Sequence, residues 1–325
     1  MIDRRKLIAL LGGAILAWPP AVRGQEPGRT YRIGALQNMP SDAPNSIAFY
    51  DALSRLGFVE GQNLQRDGQG YGLRPEQFAQ HAAELVKAKV DVILASGDAA
   101  IRAAQQATAT ISILGFTEDM VGSGLVSSMA HPGGNTTGIS ILGTELDGKR
   151  QEILIEMTPG IRRIAALADS NTTAPRQLQA LQDAARAQAV ELSLHQVAEP
   201  EEIVGAMDAA QAEGAAALTL LGSPLFFAQR RLIIERAAAL RLPAIYNVPE
   251  IAEDGGLAAY GPRIVQLVRD VYSRQLVALL RGTKPADLPV EQPTRFELVI
   301  NLKTAKALGL AIPQSILALA DKVIE

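Results

Sequence analysis

The sequence predicts an α/β protein of two doubly wound lobes, each a mostly parallel sheet with helices on both faces, joined by a hinge of several chain crossings. Three observations predict it. Short apolar runs alternate with amphipathic helical stretches, the pattern of parallel strands connected by crossover helices. The alternation runs twice, with "HPGGNTTG" (131–138) as the break between rounds. About 300 residues follow the N-terminal segment, more than one hydrophobic core usually organises.

The first element is "MIDRRKLIALLGGAILAWPPAVRGQ". Its apolar run from Leu7 to Trp18 is about half the roughly 20 residues a spanning helix needs. Arg4, Arg5 and Lys6 precede the run, Pro19 and Pro20 end it, and Val22 and Gly24 put small residues at the −3 and −1 positions of a cleavage site. Residues 1–24 therefore read as a signal peptide, with a mature chain from about Gln25 in the periplasm. The Arg4-Arg5 pair leaves both the twin-arginine and the general export route open. The chain has no cysteine, which excludes disulfides, thiolate metal sites, cysteine nucleophiles and a lipid-modified cysteine anchor. Cleavage removes Arg4, Arg5, Lys6 and Arg23 together with Asp3, taking the formal charge from −3 to −6. A mildly acidic chain argues against nucleic acid as a partner.

Strands are predicted at "YRIGALQ" (31–37), "VDVILAS" (90–96) and "ISILGF" (111–116) in the first round. The second round has "RIAALAD" (163–169), "AALTLLG" (216–222) and "LPAIYN" (242–247). Between them lie helical stretches such as "PEQFAQHAAELVKA" (75–88) and "APRQLQALQDAARAQ" (174–188). "GGLAAYGP" (255–262) reads as a short strand with a proline at the start of the next helix. The apolar stripe Ile264, Val265, Leu267, Val268, Val271 and Tyr272 then predicts a helix ending near Arg281-Gly282. "KPADLPVEQPTRFELVINL" (284–302) is a proline-punctuated connector into another strand. The lobes are accordingly drawn as 25–142 with 257–284, and 143–256 with 285–325.

The stretch from Ala286 to Glu325, with "LSRLGFVEGQNL" (53–64), "GLVSSMAHPGGNTTGIS" (124–140), "LPAIYN" and "GGLAAYG" (255–261), resembles the ABC transporter substrate-binding family that includes tryptophan- and tyrosine-binding proteins. The resemblance spans nearly the whole mature chain. It implies a type I periplasmic binding protein fold, whose lobes close on a small solute and deliver it to an ABC permease in the inner membrane.

In a doubly wound protein the site belongs at the carboxyl ends of the parallel strands, where helix N-termini begin. In the first lobe those exits hold Gln37 and Asn38, then Ser96, Gly97 and Asp98, then Thr117, Glu118 and Asp119. Asp98 can equally cap its helix. The resemblance aligns Asp119 with an acidic loop residue, a partner for a ligand ammonium, though a solvated loop carboxylate fits the residue as well. In the second lobe the exits supply Asp169, Ser170, Asn171 and Thr172, then Ser223 with Phe226, then Tyr246 and Asn247, with Tyr260 near the hinge. Aromatic residues make up 4% of the chain, so Phe226 and Tyr246 at strand exits read either as stacking surface or as core. The loops "SGDAA" (96–100), "FTEDMVGSG" (116–124) and "GSPLFF" (222–227), and Ala259, depart from the family pattern. The resemblance therefore implies the fold more firmly than it implies an aromatic amino acid as ligand.

No catalytic constellation is present. His81, His131 and His195 share no metal-ligand spacing, and neither a G-x-S-x-G elbow nor a P-loop occurs. "GSGLVS" (122–127) lacks the context and final glycine of a dinucleotide loop. The expectation is a non-enzymatic, monomeric receptor without metal or cofactor, its solute an amino acid or another small carboxylate. A sensor presenting the solute to a membrane receptor, or an exported hydrolase, are the alternatives.

Overall fold

A computed structural model describes residues 28–325; the predicted leader lies outside the described residues. The first sheet is wholly parallel and contains β1 (Tyr31–Leu36), β2 (Leu64–Arg66), β3 (Val92–Ser96), β4 (Ser112–Thr117) and β5 (Thr136–Ser140), in the order β2-β1-β3-β4-β5. Its faces are covered by α1 (Pro44–Arg55), α2 (Phe78–Lys87) and α3 (Asp98–Ala107). Cover on both faces explains why the central strands are continuous apolar runs: Val92, Ile93, Leu94 and Ala95 of β3 are all buried.

The chain leaves this sheet through Ile141 and Leu142 into α4 (Gly143–Met157). The second sheet follows with β6 (Arg163–Asp169), α5 (Pro175–Ala187), β7 (Glu191–Val197), α6 (Glu202–Ala212) and β8 (Leu218–Leu220). Next come α7 (Pro224–Ala228), α8 (Arg230–Ala239), β9 (Ala244–Tyr246), α9 (Pro249–Glu253) and β10 (Ala258–Gly261). Its order through these strands is β7-β6-β8-β9-β10, the same winding as the first sheet, and the described chain therefore repeats one topology twice. β7 closes the far edge and carries Glu191, Ser193 and His195, polar residues that blunt an exposed strand.

The chain next forms α10 (Ile264–Leu267), a π-helical turn over Val268–Tyr272 and α11 (Ser273–Leu280), one continuous helix with a widened middle. It packs on the first lobe, against α1, β3 and β4. Tyr272 Oη donates to the Leu114 carbonyl at 2.7 Å, and Gln275 Nε2 to that of Gly138 at 3.2 Å. The connector stays on this lobe through Glu291, whose amide donates to Gly138 O at 2.9 Å. The chain then returns to the second sheet as β11 (Glu297–Asn301), antiparallel to β10, followed by α12 (Leu302–Leu308), α13 (Gln314–Leu319) and β12 (Lys322–Ile324) beside β11.

Two boundaries drawn from the sequence differ from this arrangement. β10, assigned to the first lobe, pairs with β9 and β11 in the second sheet, and residues 285–291, assigned to the second, lie on the first. An apolar four-residue strand does not record which sheet edge it joins. The crossings therefore fall at 141–142, 262–263 and 292–296.

Candidate functional site

In each sheet the strand order reverses beside its first strand, between β1 and β3 and between β6 and β8. Connections there depart to opposite faces and leave a crevice at the carboxyl ends of the strands. The two crevices face each other across an interlobe cavity, part of it open to solvent.

The first lobe contributes three strand exits. After β1, Gln37 and Met39 line the cavity, and the loop following β2 runs back along them, with Gln37 N donating to Gly70 O and Leu73 N to Gln37 O, both at 3.0 Å. That approach requires glycine at 70, where a Cβ would lie 2.1 Å from the Ala35 carbonyl oxygen. The loop brings Tyr71 to the wall beside Tyr50 of α1. Their hydroxyls share a hydrogen bond, and burial pushes both phenols above their ordinary range. After β3 come Ser96 and Gly97, and after β4 come Thr117 and Glu118.

The rest of the wall is aromatic and aliphatic. Ring centroids step from Tyr50 to Phe49 at 5.2 Å, to Tyr272 at 5.4 Å and to Phe116 at 5.9 Å. Ile264 and Val268 add branched surface on one side of the long helix, and the π turn brings Tyr272 into line with them. The second lobe supplies Thr172, Ser223, Pro224, Phe227, Asn247 and Val248.

Glu118 is the one carboxylate among the lining residues, which include no lysine, arginine or histidine. Its side chain lies against the backbone of both the hinge and the second lobe. A Cβ on Gly143 would stand 2.4 Å from Oε2, and one on Gly222 2.2 Å from Oε1. No described residue donates a hydrogen bond to this carboxylate. Burial first, then the nearby charges of Asp147 and Asp98, push it up to about 7, against the pull of Arg150. Beneath it, Arg150 pairs with Asp147, donates through Nε to the Tyr260 carbonyl at 2.8 Å, and is 2% exposed. Gln177 Nε2 completes the group, donating to Asp147 at 2.5 Å.

Of the residues predicted from sequence, Gln37, Ser96, Gly97, Thr117, Glu118, Thr172, Ser223 and Asn247 line this cavity. Asn38, Asp169 and Asn171 line an adjoining opening that shares Ser96, Gly97, Thr172 and Pro224 with it. Asp169 holds scaffold there. One oxygen accepts from Ser223 Oγ at 2.6 Å and the other from Asn171 N at 2.8 Å, while Ser223 Oγ caps α7 by accepting from Leu225 N.

Six predicted residues are placed elsewhere. Asp98 is the first residue of α3 and accepts from Thr117 Oγ1, so its oxygen is spent on the strand exit. Asp119, expected to meet an ammonium, forms an ion pair with Arg176 of α5 across the lobes and accepts from Gly122 N at 2.7 Å. Ser170 Oγ donates to Val197 O, toward β7. Phe226 and Tyr246 are core, 0% and 1% exposed, with the Tyr246 ring packed over Gly256. Tyr260 lies beside Phe296, centroids 6.3 Å apart, and offers Arg150 only its carbonyl.

The sequence reading missed most of the aromatic wall. Phe49 and Tyr50 carried one signal, since neighbours about 100° apart on a helix cannot share a narrow core stripe. The same angle places Phe227 at the cavity and Phe226 in the core.

A family model described as "ABC transporter substrate binding protein" matches residues 38–324. The chain is 26% identical over 283 residues to the tyrosine-binding protein of Clostridioides difficile (strain R20291), covering 86% of this chain and 80% of that one. Among solved structures it is similar to a conserved domain protein from Vibrio cholerae O1 biovar El Tor str. N16961, at TM-score 0.81 and 25% identity over 91% of this chain and 100% of that one. It is also similar to an ABC domain from Streptococcus pneumonia solved in complex with L-Trp, at TM-score 0.77 and 24% identity over 90% and 100% of the two chains.

Proposed function

The chain belongs to the family of ABC transporter substrate-binding proteins, and from that premise we propose that it is the periplasmic receptor of an ABC importer. The lobes close on a small solute that has an ammonium group and a flat apolar body, and the closed form docks on an inner-membrane permease. The observation that carries the reading is the Glu118 carboxylate, without a hydrogen-bond donor among the described residues, in a cavity walled by Phe49, Tyr50, Phe116, Phe227 and Tyr272. An ammonium on the solute supplies the missing donors and a countercharge, and the rings cover the apolar body. The relatives support the same solute class, because tyrosine and tryptophan both have this form. An amino acid's carboxylate would be met by neutral donors. The amides of Gln37 and Asn247 and the hydroxyl of Ser96 line the cavity, in the absence of any cationic lining residue. That set argues against a simple dicarboxylate or another anion as the solute.

Thermal unfolding of the purified protein against amino acids, aromatic amines, small carboxylates and sugars tests the reading. A ligand at a hundred times its Kd adds about 2.7 kcal/mol, enough to raise the midpoint by several degrees. Saturable shifts confined to ammonium-bearing aromatic compounds are expected. Shifts only with anions or sugars would overturn it.

A further inference from the structure

Tyr50 and Tyr71 come from different elements, a helix and a glycine-bearing loop, and meet at the cavity wall through their hydroxyls. The guanidinium of Arg66, held by Glu60 at 2.7 Å, lies 4.7 Å over the Tyr50 ring. Each phenol brings one hydrogen and two lone pairs. Their mutual bond uses one hydrogen, so the pair retains one hydroxyl hydrogen and free lone pairs, and no other described residue bonds to either oxygen. Phe49 is centred 5.2 Å from Tyr50, and the charges of Arg66 and Glu60 stand near both phenols without bonding to their oxygens. A half-satisfied hydroxyl pair is costly when a dry ligand surface covers it, and complete when the ligand both donates and accepts.

We infer that the Tyr50–Tyr71 pair recognises a hydroxyl on the ring of the solute, and that the protein selects hydroxylated aromatic solutes over their unsubstituted counterparts. This rests on the reading of the cavity as a site for an aromatic ammonium compound. Covering the pair with a bare ring leaves its spare hydrogen unpaired, a penalty of roughly fivefold to hundredfold in affinity. Because burial keeps both phenols neutral, the discrimination does not vanish in mildly alkaline solution.

Calorimetric titration of the purified protein with two matched pairs tests this: tyrosine against phenylalanine, and tyramine against phenethylamine. The expected result is tighter binding of the hydroxylated member in at least one pair, by the factor above. Tyr71→Phe, and Tyr50→Phe together with it, are expected to lower affinity for that member by the same factor, with each variant's melting curve confirming that it is folded. Equal affinities within both pairs would overturn the inference and leave the site reading standing. A preference that survives both substitutions would also overturn it. Binding of none of the four compounds would overturn this inference, and the site reading as well if tryptophan and tryptamine also fail to bind.

Discussion

Replacing Glu118 with glutamine removes the charge and keeps the shape, and the structure sets what should follow. Burial, with Asp147 and Asp98 adding to it and Arg150 opposing, pushes this carboxyl from 4.5 up to about 7. An ammonium binds the ionised form, so apparent affinity follows the ionised fraction, about one-eleventh at pH 6, one-half at pH 7 and ten-elevenths at pH 8. Affinity of the wild type for an ammonium ligand should therefore rise about tenfold, or about 1.4 kcal/mol, between pH 6 and pH 8, with about half a proton released per ligand at pH 7. Stability runs the other way. The folded value lies above the unfolded one, so the neutral acid is favoured in the fold. The group's contribution is fully present below pH 4.5 and is lost as pH rises to about 7, a change of at most roughly 3 kcal/mol. Glu118→Gln should melt higher than wild type at pH 8 without ligand, bind the ammonium ligand at least about tenfold more weakly, and lose the dependence between pH 6 and pH 8. Titration calorimetry in two buffers of different ionisation heat reads affinity and proton count together. A wild-type affinity flat across this range, or an equal slope in the glutamine variant, would refute the reasoning.

Three further outcomes follow from the same geometry. The Asp119–Arg176 pair spans the lobes but is 27% and 47% exposed, so Asp119→Ala should weaken ligand binding no more than about fivefold, mainly through faster release in stopped-flow traces, and salt should mask the effect. Gly222→Ala places a methyl 2.2 Å from Glu118 Oε1, and should cost at least about tenfold in affinity by displacing the carboxylate, read by titration beside an unchanged circular dichroism spectrum. Asp147→Asn strands the buried Arg150, and the expected loss of about 3–5 kcal/mol should lower the melting midpoint by roughly 10 °C.

The double winding was legible because its strands are buried on both faces and so read as uninterrupted apolar runs, as in β3 and β6. Strand exits were legible for the same reason, and with them Gln37, Ser96, Thr117, Glu118, Thr172 and Asn247, all at the cavity. The choice between Glu118 and Asp119 was not. Adjacent carboxylates at one exit differ only in which way the loop turns, and that is set by Gly143, Gly222 and Arg176, residues far away in the chain. The helix from Ile264 was read from its stripe, but not its role, because the same stripe serves both the first lobe's core and the cavity wall. Tyr71 sits in a loop without periodicity, and only the return of that loop along β1 brings it to Tyr50.

The late return of the chain to its first lobe has a consequence for the order of assembly. Three hydrogen bonds there, from Tyr272 to Leu114, Gln275 to Gly138 and Thr137 to Leu288, join positions 158, 137 and 151 residues apart. A chain emerging N-terminus first has exposed all of β6 through β10 before the helix that covers β3 and β4 exists. The lobe begun first is therefore completed only after five strands of the second have been made, and closure over such long intervals makes that step slow. A fragment ending at residue 142 should stay adhesive rather than fold as an independent half, because the surface awaiting Tyr272 and Leu276 has nothing else in the fragment to cover it.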